Sequence, residues 1–316
     1  KSSYKSIYKI FDTQWREVIL LWFGRDDISS ESKEEFIQAL INFQDGCGDF
    51  YTYQAYFLAA QGTAESDSSS NREIIEQLIK WRFGYFHPVN HVWWKYPPVI
   101  SESARVALLK SDRKTAIIAL ENFVTSNPTH FETWTAAYSL GYAFDPGNSI
   151  AVTTLEKMVL GVRNEYLLWQ AADCLSKVQP GNAIAKNALI QILQTTKKDS
   201  SRRKAAYSLA KIEPQNKFAI SSLEKIITEA TNEQQRQQAA ENLLSIHPDN
   251  KIALAQLNFT ELQRKNKGRN QSHNQRKKPK SIKQSSNNGR EIQALVLGIQ
   301  RSKDEDSKRR RAFKLA

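Results

Sequence analysis

Residues 169–189 read Trp169-Gln-Ala-Ala-Asp-Cys-Leu175-Ser-Lys-Val-Gln-Pro180-Gly-Asn182-Ala-Ile-Ala185-Lys-Asn-Ala-Leu189, and the frame returns 34 residues later with Ala205-Ala206, Pro214, Asn216, Ala219 and Leu223. Outward from this stretch the same marks stand at Ala136-Ala137, Pro146, Asn148, Ala151 and Leu155 on one side, and at Ala239-Ala240, Pro248, Asn250, Ala253 and Leu257 on the other. Every mark keeps the 34-residue spacing except the first Ala-Ala pair, which comes one residue early and reads as a change of loop length. A fixed period of this size is the signature of a stacked repeat. The Ala-Ala stretch reads as one helix, A, whose small side chains admit a close neighbour. Pro cannot continue a helix and ends it. Asn is a good N-cap and starts a second helix, B. Ala and Leu four apart then share one face of B. Each pair exposes an apolar face that only the next pair covers, so the expected fold is all-α, an α-α superhelix or solenoid. Ala116-Ile-Ile-Ala119-Leu120 is a half-match that predicts one more B helix upstream.

Two repeat families have roughly this period. Tetratricopeptide units are 34 residues long, but the Trp, Gly and Tyr signposts of their first helix are missing here apart from Leu140-Gly141. The units more closely resemble short HEAT-like repeats of the bacterial type, on the strength of Trp169-Gln-Ala-Ala-Asp-Cys-Leu175 and Arg203-Lys-Ala-Ala-Tyr-Ser-Leu209. Either family implies the same architecture.

Residues 1–100 read as helices without that period. Trp15–Phe23 contains the longest apolar run, Val18–Phe23, which fits a buried helix segment. Ser32–Phe43 places Phe36, Ile37, Leu40 and Phe43 on one face, Phe50–Gln61 is aromatic and ends at Gly62, and Thr63–Ser70 is a polar linker. Asn71 is expected to cap a helix to about Phe83 with Ile74, Ile75, Leu78 and Trp81 inward; His87–Pro98 reads as a Pro- and Trp-containing connection. The segment Tyr8-Lys-Ile-Phe-Asp-Thr-Gln-Trp15-Arg16-Glu17-Val18-Ile-Leu-Leu21 resembles the one that follows the nucleotide-binding module in NACHT-type signalling NTPases of the STAND class, particularly cyanobacterial ones. The resemblance covers roughly residues 4–262. It implies a C-terminal sensor region, with a helical spacer at 1–100, HEAT-like repeats at 101–262, and an upstream NTPase in the same or a separate chain. No Gly-x-x-x-x-Gly-Lys-Ser/Thr phosphate loop stands in these residues, so nucleotide binding carries over to none of them. The chain begins at Lys1, not Met, and is expected to be part of a longer protein.

The net charge of +12 is unevenly placed. Residues 264–316 hold 17 Lys/Arg and 4 Asp/Glu, a net of +13, which leaves 28 and 29, a net of −1, in residues 1–263. The basicity is that of an appended arm. We expect residues 263–316 to be a largely disordered tail ending in a short helix. Its phosphate-contacting candidates are Arg276, Lys277, Lys278, Lys280, Arg309, Arg310 and Arg311, which would meet nucleic acid or an anionic surface. No apolar window approaches the ~20 residues of a membrane span. Two cysteines, Cys47 and Cys174, make no disulfide framework, and a cytoplasmic setting is expected.

Candidate chemistry is sparse. His87 and His91 stand four apart, but Pro88 lies between them, which disfavours the helix a zinc pair would use. Cys47 lies between glycines with no partner His in view, and Cys174 falls on the apolar face of a helix A. No metal, cofactor or catalytic residue is assigned, and the chain reads as a binding protein rather than an enzyme. Partner-binding candidates are Trp93 and Trp94, in an aromatic cluster with Tyr96, and Lys157 and Lys225, which with Glu156 and Glu224 recur after the B-helix leucines. The expected function is a scaffold that binds a protein partner through the repeat surface. The alternatives are a HEAT-like phycobilin lyase or an adaptor that binds nucleic acid through its tail.

Overall fold

The 34-residue frame becomes pairs of antiparallel helices. In a computed structural model, which describes residues 9–45, 49–66, 68–127 and 130–260, helix α7 (Phe131–Ser139) is followed by α8 (Ser149–Gly161), α9 (Glu165–Val178), α10 (Ala183–Thr195), α11 (Asp199–Ile212), α12 (Lys217–Glu229) and α13 (Glu233–Leu244). A further helix starts at 251. Odd-numbered members are the A helices and even-numbered members the B helices. Each packs on the next, and α7 on α9, α8 on α10, α9 on α11 and α11 on α13 pack like on like between adjoining pairs, as in a solenoid. Both residues of every Ala-Ala pair are fully buried, as are Ala151, Ala185, Ala219 and Ala253 and, within 1%, Leu155, Leu189 and Leu223. The asparagines cap as expected: Asn148 and Asn182 each accept from two backbone amides of the first turn of their B helices, and Asn216 and Asn250 from one. The predicted upstream B helix is α6 (Arg113–Ser126), with Ala116 and Leu120 fully buried.

The extra residue of the first unit is not in a loop. It lies inside the A helix, where α7 passes into a π-helical turn, Leu140–Phe144, closed by the Asp145 amide donating to the Leu140 carbonyl at 2.7 Å. A helix that gains one residue keeps both flanks in register by widening one turn to i→i+5 bonding. Gly141 sits in this turn against α8 of its own pair and α9 of the next; a Cβ there would lie 2.5 Å from Val178 Cγ1 and 2.9 Å from Ala151 Cβ.

Upstream stand α1 (Thr13–Phe23), α2 (Ser30–Ile41), α3 (Phe50–Gly62), α4 (Asn71–Phe83) and α5 (Pro98–Leu109), with Pro98 at the first turn of α5, where its missing N–H costs nothing. Asn71 is the first helical residue of α4 and not its cap; Ser70 holds that position. Of the six residues of the Val18–Phe23 run only two, Ile19 and Phe23, are buried. Ile19 and Phe23 face the core, while Val18 is 53% and Leu21 74% exposed, because α1 packs along one side only. The linker is held down by Glu34 of α2, whose carboxylate accepts from the hydroxyls of Ser68, Ser69 and Ser70. Residues 85–94 form what the sequence did not reveal, an antiparallel hairpin of β1 (Tyr85–His87) and β2 (Val92–Trp94).

Candidate partner-binding groove

A cleft of about 600 Å³ runs along one face of α8 toward α6. Ser149, Ile150, Thr153, Thr154, Lys157, Met158 and Gly161 recur at helical spacing along it, Val124 closes it from α6, and Trp134 reaches it from α7. Its lining is mostly apolar, with the hydroxyls of Thr125, Ser149, Thr153 and Thr154, and among the described residues Lys157 is the only charged one that lines it. The groove adjoins the helix that carries the π-helical turn, so it belongs to the one repeat whose length departs from the period. Arg113 of α6 donates to the Ala143 carbonyl of that turn at 3.3 Å, tying the widened backbone to the neighbouring B helix.

The two tryptophan candidates have different surroundings. The Trp93 indole donates to the Phe83 carbonyl at 2.7 Å, meeting an acceptor that the C-terminal turn of α4 leaves unpaired. Its ring stacks on His130, the N-cap of α7, with centroids 3.9 Å apart. Lys95 pairs with Glu132 in the first turn of α7, where the carboxylate also suits the helix dipole. The hairpin thus fastens the end of α4 to the start of α7, and Trp93 is a pin. Trp94 is 37% exposed and stacks on the His87 ring at 5.1 Å. His87 lies on β1 and His91 in the hairpin turn at φ 49°, so the two do not share a helix face. Among the described residues no three His, Cys, Asp or Glu gather to hold a metal ion.

The recurring Glu-Lys pairs divide by role. The Asn182 amide donates to Glu156 at 2.8 Å, Asn250 to Glu224 at 2.9 Å, and Asn148 to Glu121 at 2.8 Å. Each N-cap therefore also ties its B helix to the preceding one. Where that Glu would fall on Ile190 the tie is absent, and Asn216 turns to Glu213 of its own turn, which pairs with Lys186. The glutamates are inter-repeat ties that sequence reasoning missed; the signal was the shared spacing of Glu and Asn. The lysines stay exposed, with Lys157 in the groove and Lys225 3.7 Å from Glu229 two repeats on. Trp93, Trp94, Lys157 and Lys225 thus occupy three places. Arg276, Lys277, Lys278, Lys280, Arg309, Arg310, Arg311 and Cys47 lie outside the described residues. Cys174 is partly buried, and desolvation pushes its thiol up to about 11, so it stays protonated at neutral pH.

Compared with protein families, with curated proteins and with solved structures, the chain matches none. Among the described residues no helix is long and apolar enough to cross a membrane.

Proposed function

We propose that the chain is an interaction scaffold whose α6–α8 groove takes a segment of a protein partner. The observation that carries this is the groove itself, a long apolar channel with hydroxyl walls and one lysine, on the repeat that breaks the period. Such a lining suits an apolar peptide face with an acidic residue set opposite Lys157; few precisely placed polar groups on an apolar surface are the usual form of a recognition cleft. The test is a photo-crosslinking residue at position 154, with Lys157→Glu as the control. A discrete partner should be captured and the capture lost in the variant, whereas capture indifferent to the variant would refute the groove.

The finer reading is that this scaffold serves a NACHT-type NTPase as its sensor region. Support comes from the resemblance at Tyr8–Leu21 and from α1 itself, on which Trp15, Val18 and Leu21, three apart, form an exposed apolar stripe. Contiguous exposed apolar surface is a common mark of an interaction site. Co-purification with a separately expressed NACHT-type nucleotide-binding module, lost on Leu21→Glu, tests it.

A further inference from the structure

The near-neutral charge of residues 1–263 conceals one strongly basic helix. From Lys197 to Lys211, through α11, there are six Lys/Arg and one Asp, a net of +5 in 15 residues. Lys197, Lys204 and Lys211 recur every seven residues, which on an α-helix places 204 and 211 on one stripe about 10 Å apart, with 197 at its entrance. Aromatic rings alternate with them. Lys204 Nζ lies 4.6 Å from the centroids of both Tyr166 and Trp169 on α9, and Lys211 Nζ 4.8 Å from that of Tyr207. Tyr166 is 50% exposed. The nearby carboxylates are already engaged: Asp199 with Arg202, Asp173 with Lys177 and Ser208, Glu165 with Thr196, and Glu241, which acts on Arg203, with Gln237. Arg202 and Arg203 are likewise held, by Asp199 and Gln235, while Lys197, Lys198 and Lys211 are exposed and Lys204 is half-buried over the two rings.

We infer that this stripe of α11, with the rings of Tyr166 and Tyr207, binds single-stranded nucleic acid, the lysines meeting phosphates and the tyrosine rings stacking on bases. Charge complementarity selects a polyanion, and the interleaved rings select nucleic acid over an acidic peptide, since base stacking on aromatic side chains is the sequence-tolerant device of single-strand binding. The surface is separate from the α6–α8 groove, and the proposal stands without it.

The test uses the full chain and a fluorescein-labelled 20-mer of deoxythymidine, followed by anisotropy at several salt concentrations. Four proteins are compared: wild type, K197Q/K204Q/K211Q, Tyr166→Ala, and R276Q/K277Q/K278Q/K280Q in the tail. Loss of three phosphate contacts should flatten the slope of log K against log salt by about 2. Tyr166→Ala should weaken binding about fivefold or more while leaving that slope unchanged, and Tyr166→Trp should restore it. The tail variant should still respond to both α11 changes. The inference is overturned if wild type shows no salt-sensitive binding, or if the α11 variants bind as wild type and only the tail variant loses affinity. It is also overturned if Tyr166→Ala has no effect and poly-glutamate competes as well as the oligonucleotide, which would assign the stripe to an acidic protein. Circular dichroism of each variant guards against misfolding, and the exposed positions of Lys197 and Lys211 leave a K197Q/K211Q pair as a milder second probe.

Discussion

Gly141 and Glu34 show how single side chains set local structure. Gly141 lets the π-helical turn approach Val178 and Ala151, and both neighbours are buried, so neither gives way cheaply. Gly141→Ala should destabilise the fold by about 1–3 kcal/mol, the usual range for overpacking, as a lowered chemical-denaturation midpoint. Glu34 works by charge. Desolvation pushes its carboxyl up, but hydrogen bonds from Ser68, Gln38, Ser70 and Ser69 together outweigh this and hold it at about 2, below its ordinary 4.5. A carboxyl depressed on folding contributes stability above its unfolded pKa and loses it as pH falls through the folded value. The window is therefore about pH 4.5 down to 2. Glu34→Gln should cost about 1 kcal/mol or less at pH 7, because solvent screens this partly exposed carboxylate, and progressively less through that window, read as converging stabilities of the two proteins in acid. Neither role was legible in the sequence: the serines read only as a polar linker, and Gly141 as a stray match to another repeat family. Both contacts join segments that lie far apart in the chain.

At the scale of elements, the starts of helices were the most legible feature, because an N-cap is a local device. The B-helix asparagines were read directly from their spacing. The A helices carry a parallel series that was not read, with His130, Asn164, Lys198 and Asn232 at 34-residue steps as their N-caps. Lys198 alone offers no side-chain acceptor, and it sets a cation at the positive end of α11. Lys198→Asn should therefore raise stability by about 0.5–1 kcal/mol, seen as an upward shift in melting temperature, and an unchanged or lowered value would contradict this account of the caps. The hairpin at 85–94 escaped because its two strands are three residues each and it is held by Trp93 reaching Phe83 and His130, not by a turn signature. The π-helical turn escaped because one added residue reads identically in sequence whether a loop or a helix absorbs it.

At the scale of the molecule, the period sufficed for the solenoid, since stacked units bury the same Ala and Leu positions each time. A hydrophobic core continues from Ile19 through Ala253, so the aperiodic helices α1–α5 share it with the repeats. Function was less legible for a physical reason: it resides where the repeats depart from one another. The groove follows from neighbouring helices whose facing residues are small or β-branched, and the basic stripe of α11 was masked by carboxylates elsewhere in residues 1–263. Of the sequence-derived candidates, Lys157 falls in the groove and Trp93 in the scaffold. The most direct test of binding through the groove compares crosslinking from position 154, inside it, with crosslinking from the exposed Thr228 of α12, another B helix. We predict a discrete crosslinked partner from position 154 that Lys157→Glu abolishes, and none from position 228. Equal capture from both positions, or capture at 154 that survives Lys157→Glu, would contradict it.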